Sequence, residues 1–200
     1  MPVTVIMLAA GNSQRFGDIK QLADINGTPL VVHSLGSFLS KGEVLPELEN
    51  VYLVLGANHR QIEKVIPTKV QKIYVKEWQK GMGQSLAEAI QQIKPSINHV
   101  FVALADQAAV NMAVVNKMLL TLRRHPSKII ASKYNGHLGV PAIFPAKYLH
   151  QLGTLEGHIG ARRIIQKNLE DVVCLDCPEA ELDIDTPEDL QKYLTQKTHS

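Results

Sequence analysis

A mainly apolar run from Val3 to Leu8, broken only by Thr4, leads into Leu-Ala-Ala-Gly-Asn-Ser-Gln-Arg-Phe-Gly-Asp-Ile-Lys-Gln-Leu, residues Leu8 to Leu22, and this pairing constrains the fold more than any other feature. The run has the composition of a strand buried on both faces of a parallel sheet. Gly11 and Gly17 are the positions from which a tight path with positive φ is expected, and Arg15 and Lys20 add fixed positive charge. Backbone N–H groups that converge in such a loop bind an anion of the phosphate type. Two better-known loops are excluded by spacing. Gln21 follows Lys20, which rules out Gly-x-x-x-x-Gly-Lys-[Ser/Thr], and Ser13 stands where Gly-x-Gly-x-x-Gly needs its second glycine. The missing second motif also disfavours a nicotinamide dehydrogenase.

The rest of the chain alternates between strand-like and helix-like segments, without repeats or low-complexity tracts. After a strand over Val3–Ala9, Thr28-Pro29 predicts an N-cap and N1 proline for a helix through Leu39. Val51–Leu55 and Ile73–Val75 predict strands, separated by a short helix over His59–Ile66 that Pro67 ends. Gln84–Ile93 predicts a helix with Leu86, Ala89, Ile90 and Ile93 on one face. A strand over Val100–Ala105, a helix near Ala113–Arg124, a strand near Lys128–Ser132 and a last helix capped by Thr186-Pro187-Glu188-Asp189 complete the series. This order predicts an α/β fold with a doubly wound, mostly parallel sheet and ligands at the carboxyl ends of its strands.

At 200 residues and 45% hydrophobic, the chain is long enough to bury a full core, and no linker-like stretch divides it, so one domain over 1–200 is expected. Its 21 Lys and Arg are dispersed against 19 Asp and Glu, with 5% aromatics, which argues against a nucleic-acid surface. The N-terminus lacks a basic n-region and no apolar run reaches the length of a membrane span, so a cytoplasmic protein without membrane attachment is expected. Cys174 and Cys177 form one Cys-x-x-Cys, two ligands short of a structural zinc site, and read as reduced structural thiols. His33, His59, His99 and His137 lack the clustered spacing of metal ligands.

Two carboxylates stand out. Asp106 ends the hydrophobic run Val100–Ala105, and Asp185 in Asp183-Ile184-Asp185-Thr186-Pro187 opens the last helix. Alone, either could cap a helix. Together they meet the need of Mg²⁺ on a nucleotide, for which one or two protein carboxylates suffice because phosphate oxygens and waters fill the other positions.

The loop resembles the signature Leu-Ala-Ala-Gly-x-Ser-x-Arg-x-Gly-x-x-Lys-x-Leu of nucleotidyltransferases that activate sugar phosphates and mature the molybdenum cofactor, with every fixed position filled. Three further segments follow in that family's order. Gly81-Met82-Gly83-Gln84-Ser85-Leu86 is similar to its Gly-Met-x-x-Ser-Leu, Gly136 to Phe144 to its Gly-x-x-Gly-x-Pro-x-x-Phe, and Asp183 to Pro187 to its Asp-Ile-Asp-Thr-Pro. The resemblance is to MobA/MocA-like NTP transferases, with the molybdenum-cofactor cytidylyltransferase branch nearest. Ala10 stands where the guanylyl branch usually has glycine, which favours CTP over GTP. His158 replaces an acid usual in Gly-Asp-x-Gly-Ala-Arg, and Val140 replaces a histidine usual before the proline of the third segment. Both departures lie in the half assigned to the acceptor.

The resemblance implies a Rossmann-like nucleotidyltransferase fold and transfer of CMP from CTP to the phosphate of an acceptor such as molybdopterin, with release of pyrophosphate. It assigns Lys20, Arg15, Asp106 and Asp185 to catalysis, Mg²⁺ to Asp106 and Asp185, and the nucleotide to Leu8, Ala9, Ala10, Gly11, Asn12 and Ser13. Gln84 and Ser85 would read the pyrimidine edge, although polar residues are also ordinary at a helix start. Arg162 and Arg163 fit an anionic acceptor and exposed helix charge equally well. The partners so implied are small molecules, with a molybdoenzyme to receive the product. A sugar- or polyol-phosphate acceptor is the runner-up, and a nucleotide-binding accessory protein without turnover is the reading from a different class.

Overall fold

A computed structural model describes residues 2–93 and 97–198. Its centre is a seven-stranded sheet in the order β11-β9-β10-β8-β1-β6-β7. The strands are β1 (Val3–Leu8), β6 (Leu48–Leu55), β7 (Gln71–Tyr74), β8 (His99–Leu104), β9 (Ile129–Tyr134), β10 (His137–Pro145) and β11 (Val172–Asp176). Four short strands, β2 (Asp24–Ile25), β3 (Thr28–Pro29), β4 (Leu39–Ser40) and β5 (Glu43–Val44), form two small hairpins outside it. The helices are α1 (Leu30–Leu35), α2 (His59–Ile62), α3 (Met82–Gln92), α4 (Met112–Arg124), α5 (Leu149–Leu152), α6 (Arg162–Lys167) and α7 (Pro187–Thr198). No described helix is long and apolar enough to cross a membrane.

Side chains that alternate along β1 feed two cores. Val3, Val5 and Met7 join Val31, Leu35, Phe38, Met118 and Leu122 on one face, while Ile6 and Leu8 join Leu86, Ala89, Val100 and Ile164 on the other. Each fully buried large apolar side chain contributes about 1.5–3 kcal/mol, so a strand filled on both faces commits itself to the centre of the sheet. β1 lies between β6 and β8, parallel to both, and only β10 runs against its neighbours. The chain moves outward through β6 and β7 on one side of β1 and through β8 and beyond on the other, so the topological switch point falls between β1 and β8. Leu8 and Leu104 are register partners there, and Ala105 N–H donates to the Leu8 carbonyl at 3.0 Å. The two segments singled out by sequence therefore leave the sheet side by side.

The hairpins correct several local expectations. Thr28-Pro29 does not cap a helix. Asn26 (φ 52°) and Gly27 (φ 84°) form a two-residue turn with both residues left-handed, which pairs Ile25 with Thr28 and delays α1 to Leu30. The helix expected through Leu39 ends at Leu35, continues as one 3₁₀ turn over Gly36–Phe38 and gives way to β4, because Lys41-Gly42 makes another left-handed turn. Asn135-Gly136, the third such pair, reverses β9 into β10, a strand absent from the sequence expectation. The helix expected over His59–Ile66 is α2 followed by a 3₁₀ turn over Glu63–Val65. α3 begins two residues earlier than expected and ends at Gln92. Cys174 is exposed on β11 and Cys177 is buried, both as free thiols, and burial pushes the Cys177 thiol up.

Candidate active site

A cleft of about 580 Å³ opens at the switch point, within the size range that holds small-molecule ligands. Its lining comes from Leu8, Ala9, Ala10, Gly11, Asn12 and Arg15 of the loop, from Lys20 and Gln21, from Asp106 and Asp185, and from Trp78, Gln79, Gly81, Met82 and Ser85. Ser13 and Gln84, assigned to the nucleotide from sequence, are not among the lining residues.

Gln21 holds the loop in shape. The residue is 3% exposed; Nε2 donates to the carbonyls of Ala9 at 3.2 Å and Gly11 at 3.0 Å, and Oε1 accepts from Ser13 Oγ at 3.0 Å. Burying an amide inside a loop is favourable only when its hydrogen bonds are made, and here they fix where the loop backbone runs. Gly17 has the expected positive φ of 78°, but Gly11 does not; Ser13, at φ 57°, takes the second left-handed position where Phe16 N–H returns to the Ser13 carbonyl. A Cβ on Gly11 would meet nothing within 4 Å, so this glycine contributes open space on the cleft floor.

Lys20 is the meeting point of the charges. Its Nζ donates to Asp106 Oδ2 at 2.7 Å and to Asp185 Oδ1 at 2.8 Å, and Arg15 donates to Asp185 Oδ2 at 2.7 Å. Burial alone would lower the Lys20 pKa, but the two carboxylates outweigh it and the net shift is upward, so the side chain is an ammonium at neutral pH. Asp106 and Asp185 lie far apart in sequence and are joined by backbone: Ile184 N–H donates to the Asp106 carbonyl at 3.0 Å. Asp189 orients the other end, accepting from the backbone N–H of Thr186 at 3.0 Å and from its hydroxyl at 2.9 Å, while Asp189 N–H returns to Thr186 Oγ1 at 3.2 Å. This is a capping box with Asp in place of Glu, and it holds Asp185 at the head of α7. Asp106 Oδ1 is buried without a hydrogen-bond partner. Burial, together with the nearby Asp106 and Asp185 carboxylates, pushes Asp183 up to about 6.

The wall opposite is built by close approach of backbones. Gly81 (φ 116°) and Gly83 pack on the loop 156–160, where a Cβ on either would lie within 2.6 Å of a carbonyl, and Gly83 N–H donates to the Gly157 carbonyl at 2.9 Å. Ser85 is buried and donates to the Gly81 carbonyl at 3.2 Å. Trp78 lies against Gly56, whose hypothetical Cβ would stand 2.6 Å from the indole Cγ and 2.7 Å from the Ala10 carbonyl. Sequence reasoning missed Trp78 and Gln21 as cleft residues; a buried glutamine four positions after a loop glycine carries no periodic signal, and the approach of Trp78 to Gly56 is a tertiary contact.

A second pocket of about 420 Å³ adjoins the first and shares Leu8, Met82, Leu104 and His158 with it. It continues over Val102, Tyr134, Gly139, Val140, Ile159 and Arg162. The two residues that depart from the family pattern, Val140 and His158, both face it. Arg163, by contrast, lines neither space. No group of three or more potential metal ligands occurs among the described residues.

A glycine-containing loop and a pair of carboxylates bridged by an ammonium meet at the switch point of a doubly wound, Rossmann-like sheet, the place where such folds take their ligands. Residues 5–172 match the MobA-like NTP transferase domain, and the chain belongs to that family of nucleotidyltransferases. It is 29% identical over 206 residues to a protein named nicotine blue oxidoreductase from Paenarthrobacter nicotinovorans, with 96% of each chain covered. It also superimposes on the crystal structure of an Rv0371c homologue from Mycobacterium sp. strain JC1, with a TM-score of 0.80, 24% identity and coverage of 98% and 97%. The Mycobacterium tuberculosis Rv0371c structure in complex with manganese matches with a TM-score of 0.75 and 22% identity, covering 98% of this chain and 99% of that one. At these identities the structural likeness bears on fold.

Proposed function

We propose that residues 1–200 act as one transferase unit that moves a CMP group from CTP to the phosphate of an acceptor, with molybdopterin as that acceptor, and releases pyrophosphate. The observation that carries the reading is the convergence of Lys20 with Asp106 and Asp185, at 2.7 and 2.8 Å, in the wall of the loop-lined cleft. The residues also fit a divalent cation. Asp106 Oδ1 is buried with nothing to accept from, and the ammonium between the two carboxylates marks a position of strongly negative potential. Manganese in the M. tuberculosis neighbour supports a divalent ion as a class, and Mg²⁺ is the ion proposed here. Asp106 and Asp185 would hold it, and when bound it would supply charge neutralisation at the α-phosphate and the leaving oxygens.

The chain's own groups do the rest. An oxygen of the acceptor phosphate forms the new bond to the α-phosphorus of CTP, the bond from that phosphorus to the bridging oxygen breaks, and pyrophosphate departs. The nucleophile is already anionic, so holding two anions in line and neutralising developing charge are the tasks left to the protein. Lys20 carries a full charge to the leaving pyrophosphate, and Arg15, whose side chain is 73% exposed, is free to swing from Asp185 to the outer phosphates. Ala10, Ser85 and Trp78 border the space left for the base.

The test is pyrophosphate release from the protein with Mg²⁺, each of the four nucleoside triphosphates, and molybdopterin or a sugar phosphate. Turnover with CTP and molybdopterin is expected; a preference for GTP would overturn the base assignment, and silence with every pair would overturn transfer. A second reading has one observation in its favour, the oxidoreductase name of a relative that aligns over 96% of both chains. Turnover of nicotine blue by this protein with an added two-electron donor of the reduced-nicotinamide class, without nucleoside triphosphate and without pyrophosphate, would establish that reading instead.

A further inference from the structure

The loop that lines the cleft grows directly out of β1, whereas the segment that carries Trp78 has already left the sheet. The register of β6 with β7 ends at Leu55 and Tyr74, and Val75 N–H donates onward to the Leu55 carbonyl at 2.9 Å. From there the chain departs an edge strand and must still deliver Trp78 to Gly56. What meets it is a carboxylate. Glu88, on α3, accepts from the backbone N–H of Lys76 at 2.8 Å through Oε2 and from that of Glu77 at 3.0 Å through Oε1. One turn further along the same helix, Gln92 Nε2 donates to the Tyr74 carbonyl at 3.1 Å. From the other flank, the Tyr74 hydroxyl donates to Glu63 at 2.5 Å and its ring stands edge-on to His59 with centroids 5.5 Å apart, which anchors the end of β7 to α2 and the turn after it.

Two adjacent backbone donors that share one carboxylate fix the position and the orientation of the peptide between them, and hydrogen bonds to an ionised acceptor are about twice as strong as neutral ones. Trp78–Lys80 follow at once as a single 3₁₀ turn, closed by Lys80 N–H to the Glu77 carbonyl at 2.9 Å and by Gly81 N–H to the Trp78 carbonyl at 3.1 Å, so little slack separates the clamp from the indole. Gly56 is the spacer on the far side, since the indole Cγ and the Ala10 carbonyl lie 2.6 and 2.7 Å from the same hypothetical Cβ. A wall held in this way discriminates by size, whereas a wall free to move yields to a larger base at little cost. Resting on the reading of that space as the base site, we infer that Glu88 is a specificity-determining positioning residue: its carboxylate, clamped on the Lys76 and Glu77 amides, holds Trp78 at the distance that admits a pyrimidine and excludes a purine. Glu88 itself lines neither the cleft nor the pocket beside it, so it acts through Trp78.

Glu88→Ala puts the strongest helix former in the middle of α3 and so keeps the fold. In the full chain without nucleotide, the emission of Trp78, the single tryptophan, should shift to the red in this variant and become more open to quenching by acrylamide. Titration with CTP and with GTP should show the discrimination between them falling about fivefold or more, because CTP loses its fitted wall and GTP gains room. With a fixed acceptor, the KM for CTP should rise about tenfold while kcat stays within about twofold, since the base wall does not touch the phosphates that react. Glu88→Gln, which still accepts one of the two N–H groups, should lie between. Gln92→Ala frees only the Tyr74 carbonyl, at a position that β6 and α2 already hold, and should match the wild type. An unmoved emission maximum in Glu88→Ala, a discrimination that survives it, or an equal effect from Gln92→Ala would overturn the inference. Failure of the wild type to bind either nucleotide, with the Trp78 shift present in Glu88→Ala, would instead overturn the base-site reading and the selectivity that rests on it.

Discussion

Lys20→Met keeps the length and the apolar stem of the side chain and removes only its charge. In the native cleft the ammonium lies 2.7 Å from Asp106 and 2.8 Å from Asp185, with side-chain exposures of 13%, 21% and 28%. At an effective dielectric of about 20, each pair with charge centres about 4 Å apart is worth roughly 4 kcal/mol of Coulomb energy. Desolvation of the ammonium and repulsion between the carboxylates cancel most of this, and partial exposure screens what remains, so the net loss on substitution is about 2 kcal/mol. For a chain of this size that is a fall of roughly 4–8 °C in Tm. The sharper consequence concerns the metal. With Lys20 gone, Asp106 has no cation and Asp185 keeps only the exposed Arg15 guanidinium, so millimolar Mg²⁺ or Mn²⁺ should restore the Tm of the variant and raise that of the wild type far less. Turnover should stay low in both buffers, because the leaving pyrophosphate has lost its ammonium. Scanning calorimetry with and without metal, beside a pyrophosphate assay, reads all three effects. A Tm loss that metal does not repair, or equal stabilisation of both proteins, would refute competition between Lys20 and a cation; an unchanged kcat with the Tm effect intact would make Lys20 a structural counter-ion.

Asp106→Asn and Asp185→Asn should each lower pyrophosphate release about a hundredfold or more while the far-ultraviolet circular dichroism stays native, and near-normal rates in both would remove the metal assignment. Gly56→Ala places a methyl 2.6 Å from the Trp78 ring and 2.7 Å from the Ala10 carbonyl, so CTP affinity measured by fluorescence titration should fall at least tenfold with a shift in the emission of Trp78; an unaltered spectrum would show that Trp78 does not rest on Gly56. Acid stability should depend on Asp171, whose carboxyl is held well below the usual carboxylate range by hydrogen bonds from Lys147, Tyr148 and Lys128. Because its folded pKa lies below the unfolded value of about 3.9, its contribution is complete above that pH and is lost as pH falls toward the folded value. The Tm gap between wild type and Asp171→Asn should therefore be full at pH 6 and shrink below about pH 4, and a gap that ignores pH would show that the cluster is not electrostatic.

Where the chain's physics is local or periodic, the sequence told the fold well. The apolar run Val3–Leu8 became the central strand because a segment buried on both faces has nowhere else to go, and the helix around Leu86 and Ala89 announced its buried face through its spacing. Where two local signals competed, the stronger turn won. Thr28-Pro29 matches a helix cap, yet Asn26-Gly27 just before it prefers the left-handed turn that closes β2 on β3. The same dipeptide at Asn135-Gly136 closes the β9–β10 hairpin, a turn signal that the sequence reading left unused. Pro141 concealed β10, because proline within an apolar run ordinarily argues against a strand.

The loop motif, the two carboxylates and Lys20 could all be picked out one by one from the sequence, since each sits at the end of a segment whose type is set by its own residues. Their union was expected from the carboxylate pairing and the family resemblance, and its geometry could not be read from the chain. Asp106 meets Asp185 only because Ile184 N–H reaches the Asp106 carbonyl, and Lys20 meets both only because β1 and β8 are register neighbours. The base wall of Trp78 on Gly56, the Gln21 staple and the apolar pocket beyond Val140 are likewise products of packing. Local sequence sets which conformations a segment prefers and which groups it carries. Distances between groups from distant segments are set by sheet order and by how two cores close around it, and no window of the chain contains that information.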